Sequence, residues 1–305
     1  MTAGKSYHGG AEPVRSRQNR TVREIRRLDR DPGLRDSRAV LLAEGIRIVE
    51  LAEASGARLE TIVVSPRLET VARGRDLLRR LTAAGLPLVP LADPVMDYLY
   101  GGPGHQGILA LVHRGGATLD GVLRAGDPAL VFFGLGIQDP GNVGSLVRAG
   151  DAVGAAGVLL SPGSADPFGR RAVRASMGSV LRVPVLKTCD PVLTLGQLRA
   201  AGYRPVAADP RAEAILWDAD LSGRLAVLIG AEGAGLPPAV RQRVSDRLRI
   251  PMRSGVDSLN VAATASLVAY EIARRRRDGG IDPFRPGAAP AAGERGLRPP
   301  GEGGT

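Results

Sequence analysis

Apolar residues in the first part of the chain form short runs that alternate with stretches of helical periodicity. Runs at 39–43, 60–64, 88–91 and 108–112 predict four strands, because each is rich in β-branched or aliphatic side chains. Helical patterns separate these runs. The alternation is typical of a compact α/β/α domain, which we expect to span residues 17–114.

The second part of the chain contains six further apolar runs, which polar residues rarely interrupt. They predict strands near 129–133, 157–161, 183–186, 205–208, 225–229 and 248–250. Nearly continuous apolar strands indicate a parallel sheet covered by helices on both faces. We expect this second α/β domain to span residues 128–277.

Three segments fall outside both predicted domains. Residues 1–16 are aperiodic and residues 278–305 are rich in Gly and Pro, so we expect a flexible N-terminal tail and a disordered C-terminal tail. Residues 115–127 are expected to form the linker between the two domains.

One predicted helix, at residues 19–30, has an apolar face and a strongly basic face. The basic side chains are Arg20, Arg23, Arg26, Arg27 and Arg30. A charged helix face is often only solvated, but charges of a single sign also suit contacts with phosphate groups. Tyr98 and Tyr100 precede a glycine-rich loop, and both stacking on an unpaired base and packing in the core are open for them.

The composition is basic and poor in cysteine. A net charge of +10 and an isoelectric point near 10.7 suit a polyanionic partner, although an arginine-biased composition contributes, because Lys5 and Lys187 are the only lysines. Cys189 is the sole cysteine, which excludes an internal disulfide and fits a reducing cytoplasm. Scattered histidines and the lack of a long apolar run or signal-peptide core lead us to expect neither a metal site nor a membrane location.

Three polar, glycine-bearing loops follow apolar runs of the second domain. They are DPGNVGSLVR at 139–148, GAEGAG at 230–235, and IPM at 250–252 with SLN at 258–260. A loop of small polar residues between a strand and a helix start is a common ligand site. Each glycine cluster alone more often marks only a turn, and none completes a dinucleotide fingerprint or a phosphate-binding loop.

In this order, the three loops resemble the signature of the SPOUT superfamily, specifically the TrmH/SpoU family of RNA ribose 2′-O-methyltransferases. The matching patterns are Asp-Pro-x-Asn-x-Gly-x-x-x-Arg, Gly-x-Glu-Gly-x-Gly, and Ile-Pro-Met followed by Ser-Leu-Asn. The resemblance implies a C-terminal SPOUT domain with a trefoil knot, one of the rare exceptions to unknotted chains. It also implies that a small ribosomal-protein-like substrate-binding domain precedes it.

The resemblance further implies S-adenosyl-L-methionine as the cofactor and structured RNA, either rRNA or tRNA, as the partner. The cofactor-binding residues implied are Gly230, Gly233, Ile250 and Leu259; the catalytic residues implied are Asn142, Arg148, Glu232, Ser258 and Asn260. Arg20, Arg23, Arg26 and Arg27 are the expected RNA contacts. A cytoplasmic homodimer is also implied, and the apolar helix face from Val261 to Ile272 is the surface expected to form it.

Within this resemblance, we expect Asn142, Glu232 and Asn260 to form a hydrogen-bonded frame. Ser258 is expected to orient Arg148 or the ribose, and Arg148 to orient the hydroxyl that is methylated. The structural alternatives are a salt bridge between Arg148 and Glu232, and a role for Ser258, or its neighbour Asp257, as the cap of the last helix.

Other functions stay open on the same fold. The chain also suits a non-catalytic RNA-binding or ribosome-assembly protein, or an antibiotic-resistance enzyme that methylates one ribosomal nucleotide. Methylation of guanine N1 would use a carboxylate base, for which Glu232 is the candidate. The set of Arg148, Ser258 and Asn260 instead favours a phosphate and a ribose hydroxyl.

Overall fold

The chain folds around two β-sheets that helices cover. A computed structural model describes residues 12–244 and 246–280, with one sheet of four strands and one of six. The strands are β1 (Val40–Glu44), β2 (Leu59–Val64), β3 (Leu88–Pro90), β4 (Ile108–His113), β5 (Leu130–Leu135), β6 (Gly157–Leu160), β7 (Val185–Lys187), β8 (Arg204–Ala208), β9 (Leu225–Gly230) and β10 (Asp246–Leu248). The helices are α1 (Arg20–Arg30), α2 (Pro32–Ser37), α3 (Ile46–Ala54), α4 (Ala72–Ala83), α5 (Asp93–Tyr100), α6 (Leu119–Leu123), α7 (Pro140–Ala152), α8 (Arg170–Ala175), α9 (Pro191–Ala200), α10 (Pro238–Arg241) and α11 (Val261–Asp278).

The first sheet has the strand order β1-β4-β2-β3. Strand β4 runs antiparallel to both of its neighbours, whereas β2 and β3 are parallel. Side chains of α3 and α4 pack on one face, and those of α1 and α5 pack on the other. The four strands lie within a residue or two of their predicted positions, and the predicted α/β/α layering is confirmed.

The basic helix α1 forms because its apolar side chains recur on one face and Asn19 caps its start. The Asn19 side chain accepts a hydrogen bond of 2.9 Å from the Thr21 backbone amide. Val22, Ile25 and Leu28 are buried against the first sheet and α5. Four of the five arginines on the opposite face are exposed, and Arg26 is half-buried.

The first domain includes a residue that the sequence assigned to the N-terminal tail. The Val14 amide donates to the Pro90 carbonyl at 2.8 Å, and the Ala92 amide donates to the Val14 carbonyl at 3.0 Å. Val14 therefore lies beside β3, and the predicted boundary at residue 16 is wrong. Residues 1–11 of the predicted N-terminal tail and residues 281–305 of the predicted C-terminal tail lie outside the described residues.

The predicted linker packs against the second domain instead of running free. It contains α6, whose Val122 is buried in the core on one face of the second sheet. The Arg224 guanidinium donates to the carbonyls of Leu123 and Ala125, at 2.8 and 2.7 Å. These contacts fix the chain at the point where it enters β5.

The second sheet is parallel throughout and has the order β10-β8-β9-β5-β6-β7. Leu130 and Phe132 of β5 face the core with α7 and α11, whereas Val131 and Phe133 face the core with α9 and α10. The predicted parallel sheet with helices on both faces is confirmed. Strand β10 ends at Leu248, earlier than predicted.

The two domains meet at two arginines, Arg170, which is half-buried, and Arg35, which is buried. Arg170 of α8 donates to the Glu44 carboxylate at 2.7 Å, to Asp29 at 3.2 Å and to the Leu99 carbonyl at 2.8 Å. Tyr100 packs beside Arg170 and donates to the Ile108 carbonyl, and burial raises the pKa of its phenol. Tyr100 therefore packs inside the protein, which is the second of the two alternatives that the sequence left open, and is not placed to stack on an unpaired base.

The second arginine, Arg35, crosses the same interface. Only 4% of Arg35 is exposed, and its guanidinium contacts the Asp166 carboxylate and the Leu28 carbonyl. Removing one partner from such a buried ion pair is costly, because the other charge stays desolvated. The orientation of the two domains is therefore strongly specified.

Helix α11 packs its apolar face inside the protomer. Val261, Ala265, Val268 and Ile272 are at most 4% exposed and lie in the core with α7 and β9. The expectation that this face forms a homodimer interface is therefore wrong, because the protomer itself already covers it. The trefoil knot stays a prediction. Among the described residues, no helix is both long and apolar enough to cross a membrane.

Candidate active site

The predicted loops at 230–235 and 250–260 meet at the carboxyl ends of the strands of the second sheet, and Asn142 of the loop at 139–148 joins them by hydrogen bonds. Because all six strands are parallel, the segments that follow β8, β9 and β10 leave the sheet on the same side. They enclose a cleft of about 430 Å³, to which the first turn of α11 also contributes. The expected cofactor-binding residues Gly230, Gly233, Ile250 and Leu259 all line this cleft, as do Glu232 and Ser258.

The loop after β9 folds back tightly on the strand end. The Gly235 amide donates to the Ala231 carbonyl at 2.9 Å. A Cβ atom at Gly230 would lie 2.2 Å from the Gly235 carbonyl carbon, so no other residue fits there without a backbone shift. Gly233 and Gly235 have positive φ angles of +75° and +66°, which glycine adopts at little cost. The turn places Glu232 at the mouth of the cleft.

Asn142, Glu232 and Asn260 form the predicted hydrogen-bonded frame. The Asn260 amide nitrogen donates to Glu232 Oε1 at 2.8 Å and to Asn142 Oδ1 at 3.0 Å. The Asn142 amide nitrogen donates to the same Glu232 oxygen at 3.1 Å, and the Val261 backbone amide approaches it at 3.5 Å. Side chains from three distant parts of the chain are therefore joined around one carboxylate oxygen.

Asn260 also caps α11, where Asp257 or Ser258 was the expected cap. Its Oδ1 atom accepts a hydrogen bond of 2.8 Å from the Ala262 backbone amide. The prediction was wrong because the helix begins at Val261, two residues later than the sequence pattern indicates. Asparagine suits both tasks, since its side chain carries an acceptor oxygen and two N–H donors. Ser258 stays exposed on the rim of the cleft.

The motif before α7 builds the helix start and leaves the Asn142 side chain free for the frame. Asp139 caps α7 by accepting from the Asn142 backbone amide at 2.9 Å, and Pro140 occupies the first helical position. Gly144 lets α7 approach α8, because a Cβ atom there would lie 2.3 Å from the Ala172 carbonyl oxygen. Two of these motif residues, Asp139 and Gly144, therefore make structural contacts.

Arg148 stands apart from the frame. It lies six residues after Asn142 on α7, which places it about 9 Å along the helix axis and on a different side. Its side chain is exposed and makes no hydrogen bond or ion pair with any residue in the described part of the chain. The salt bridge to Glu232 is therefore not formed, and neither is a hydrogen bond with Ser258. Asn142 lies in the first turn of α7, whereas Arg148 lies further along the helix.

Several residues that the sequence did not single out also line the cleft. Asp209 follows β8, and its carboxylate pairs with Arg241 of α10 at 3.3 Å. Arg211 and Arg249 line the same cleft, and their side chains find no partner within residues 12–244 and 246–280. Adjacent strands place these residues together, and strand order is not visible in a single sequence. No group of three or more His, Cys, Asp or Glu side chains in those residues could hold a metal ion.

The expected RNA contacts lie away from this cleft. Arg23, Arg26 and Arg27 line a separate hollow on the first domain, together with Tyr98. Arg20 is exposed on the same helix but does not line the hollow.

Comparisons with known proteins follow the division into two domains. Residues 129–270 match the SpoU rRNA Methylase family, and residues 19–110 match the MRM3-like substrate binding domain. The chain is 34% identical over 257 residues to an uncharacterised tRNA/rRNA methyltransferase of Mycobacterium bovis, covering 83% of this chain and 87% of that protein. The chain belongs to the SpoU rRNA methylase family.

Other members of the SpoU family resemble the chain over most of its length. The 23S rRNA (uridine(2479)-2′-O)-methyltransferase of Streptomyces viridochromogenes is 30% identical, covering 78% of this chain and 84% of that protein. The AdoMet-bound rRNA methyltransferase structure from Sinorhizobium meliloti superposes with a TM-score of 0.74 at 27% identity, covering 87% of this chain and 98% of the other. Both domains therefore have counterparts in solved SpoU structures.

We predict that capping and frame formation by Asn260 can be separated in stability measurements. Asn260→Ala removes the cap of α11 and should lower the free energy of unfolding by about 1–2 kcal/mol. Asn260→Ser restores a capping oxygen without the amide donors, so most of that loss should be recovered. Urea denaturation of the three proteins measures both effects. If serine is as destabilising as alanine, the frame rather than the cap accounts for the contribution of Asn260.

Proposed function

We propose that this chain transfers a methyl group from S-adenosylmethionine to a ribose 2′-hydroxyl of rRNA or tRNA. The observation that carries the proposal is the frame of Asn142, Glu232 and Asn260 at the mouth of the cleft. The relatives support it, since the one from Streptomyces viridochromogenes is named for 2′-O-methylation of 23S rRNA and the structure from Sinorhizobium meliloti contains AdoMet.

The cleft fits this cofactor in size and in chemistry. A volume of about 430 Å³ lies in the usual range of small-molecule sites. Leu236, Ile250 and Leu259 supply apolar surface for an adenine ring, and the tight loop at Gly230 exposes backbone groups. Arg211 and Arg249 offer cations to a carboxylate. S-Adenosylmethionine bound there would supply a methyl group activated by its sulfonium.

The frame holds Glu232 in one orientation. Its Oε1 atom accepts from Asn142, Asn260 and the backbone amide of Val261, which restricts rotation of the carboxylate. The other oxygen, Oε2, accepts from no described residue and so remains available to a hydroxyl donor. Exclusion of water by bound ligands would strengthen these hydrogen bonds, because the local dielectric constant falls. Glu232 thus positions the reacting groups at the mouth of the cleft.

Arg148 is assigned to the ribose and phosphate of the target nucleotide. Arginine side chains in proteins are effectively always protonated, so we do not assign to arginine the role of the base that removes the hydroxyl proton. A fixed cation can instead orient the 2′-hydroxyl and stabilise the negative charge that develops on it. The absence of a partner for Arg148 among the described residues agrees with a side chain that engages its substrate. Ser258 is assigned to the ribose from the rim.

A homodimer is part of this proposal, on a surface different from the one expected. The outer side of α11 leaves Leu267 and Tyr270 exposed by 44% and 67%. Large apolar side chains grouped on one helix face favour contact with another protein surface. A second copy of the chain is the partner that the family resemblance suggests.

We expect the double change Leu267→Asp and Tyr270→Asp to convert the dimer to a monomer, because two charges would then need to be desolvated at the interface. Light scattering measures the molar mass. The matched control is Leu193→Asp on α9, where the side chain is 62% exposed and remote from α11 in sequence. A wild-type protein that is monomeric and active would contradict the assignment.

Arg148→Ala is predicted to separate cofactor binding from turnover. Affinity for S-adenosylmethionine, measured by calorimetry in the presence of a chelator, should stay nearly unchanged because Arg148 does not line the cleft. Turnover should fall about a hundredfold or more, which corresponds to about 3 kcal/mol of transition-state stabilisation. The control is Arg79→Ala, because Arg79 is an exposed arginine of α4 that pairs with Asp76. Cofactor binding that appears only after a metal is added would argue against the proposed site.

The acceptor atom is tested with substrate RNA that carries a single 2′-deoxy nucleotide at the methylated position. The mapped position comes from comparison of 2′-O-methyl sites in RNA from cells with and without this protein. We expect the deoxy RNA to bind with ordinary affinity and to accept no methyl group, because the 2′-hydroxyl is the only group removed. Full methylation of the deoxy RNA would show that the nucleobase, not the ribose, is methylated. It would then favour Glu232 as the carboxylate that removes a proton from that nucleobase.

A further inference from the structure

A strongly basic hollow lies on the first domain, away from the cleft. It encloses about 570 Å³ between α1, α5 and the segment that precedes α1. Arg17, Arg23, Arg26, Arg27, Arg30 and Tyr98 line it. The one acid in its lining, Asp31, is already engaged, because its side chain caps α2 by accepting from the Leu34 amide at 2.9 Å.

Tyr98 supports two of the guanidinium groups. The central carbon atoms of the Arg17 and Arg26 guanidiniums lie 4.9 and 4.8 Å from the centre of its ring. A cation over an aromatic ring is attracted by the electrons of the ring face. The inner part of Tyr98 packs on the core of the first domain. Because the ring already carries two cations, it serves to position them, and a nucleobase would have to displace one in order to stack there.

Most of the arginines that line the hollow have no acidic partner among the described residues. Arg17, Arg23, Arg27 and Arg30 pair with no carboxylate among the described residues. Arg26 lies 3.8 Å from Asp29. On the other side of the domain, by contrast, each arginine that contacts Glu50 is balanced: Arg73 lies 2.5 Å from it, and Arg80 lies 3.5 Å from it and 3.1 Å from Glu53.

We propose that the hollow binds a backbone phosphate of the substrate RNA, at a distance from the nucleotide that is methylated. This inference rests on the proposed function. Guanidinium groups match phosphate oxygens with paired N–H donors, and a bound phosphate removes the repulsion between unpaired cations. Backbone phosphates are the same for every base, so the site contributes affinity and register without reading sequence.

The domain interface fixes this site relative to the cleft. Asp29, the neighbour of Arg26, also accepts from Arg170 of α8 at 3.2 Å. The next residue, Arg171, lies 3.6 Å from Asp139, which caps α7 beside the frame. Helix α8 therefore contacts both the neighbour of Arg26 in the hollow and the capping residue of α7 beside the frame. A phosphate held in the hollow would place the rest of the RNA in a defined register on the second domain.

The test measures RNA affinity without cofactor, so that it is independent of methyl transfer. The hollow variant carries Arg23→Gln and Arg27→Gln, both exposed on α1. The control carries Arg73→Gln and Arg80→Gln, which change the net charge equally but remove paired arginines of the same domain. The probe is a fluorescein-labelled single-stranded oligouridylate, and fluorescence anisotropy is recorded over a series of salt concentrations.

We expect the hollow variant to bind the oligouridylate about tenfold more weakly. The slope of log affinity against log salt should become flatter by about 0.7 for each phosphate that the variant no longer binds. The control should change neither quantity. Equal losses of affinity in both variants would show a general effect of charge and overturn the proposal. A wild-type protein that does not bind the probe at low salt would also overturn it.

Two measurements distinguish a positioning role of Tyr98 from stacking of a nucleobase on its ring. Tyr98→Leu should weaken oligouridylate binding without changing the midpoint of unfolding. Wild-type protein should bind an oligoadenylate and an oligouridylate equally well. A strong preference for oligoadenylate would indicate base stacking and contradict phosphate recognition.

In methylation assays the hollow variant should have a higher KM for RNA and an unchanged kcat. If the proposed function were wrong, wild-type protein would not bind S-adenosylmethionine, and this result is independent of RNA binding by the hollow.

Discussion

The double use of the Asn260 amide is the interaction on which the candidate active site depends. Its oxygen caps α11, and its nitrogen donates to Glu232 and Asn142. The start of the last helix is therefore tied directly to the loops that follow β5 and β9. No residue without both a donor and an acceptor on a short side chain can perform the two tasks together. The cap of the helix and the frame of the site therefore share one side chain.

Close backbone approach makes that arrangement possible. The loop after β9 contacts its own strand end only because Gly230 has no side chain, and α7 reaches α8 only because of Gly144. The same helix α8 carries Arg170, whose contacts with Glu44 and Asp29 attach the first domain. Helix α8 therefore supports both the helix that supplies Asn142 and the orientation of the domain that carries the basic hollow. The two halves of the chain behave as one framework for a substrate larger than the cleft.

Sequence patterns predicted the elements and the frame, but not every relationship between them. Continuous apolar runs identified the parallel strands, and the spacing of Asn142, Glu232 and Asn260 in the family pattern predicted their meeting. Periodicity marked Val261 to Ile272 as a buried face, yet it does not distinguish burial within a protomer from burial between protomers. Arg249 was missed because its contribution to the cleft depends on strand order. The separation of Arg148 from the frame, by contrast, follows from its six-residue spacing from Asn142 on one helix, so it could have been read from the sequence.

In a chain whose basic residues are nearly all arginine, the net charge alone does not show whether the protein has a surface for a polyanion. The pairing of each arginine with carboxylates does distinguish balanced charges from a binding surface. Arg38 lies between Glu24 and Glu60, and Arg170 between Glu44 and Asp29, so these arginines add to the total of +10 without creating a binding surface. The arginines around Tyr98 are gathered with almost no carboxylates to balance them. Folding must work against their mutual repulsion, which only an anion from outside the chain relieves. The grouping of unpaired arginines around Tyr98, rather than the net charge of the chain, therefore points to a polyanionic partner.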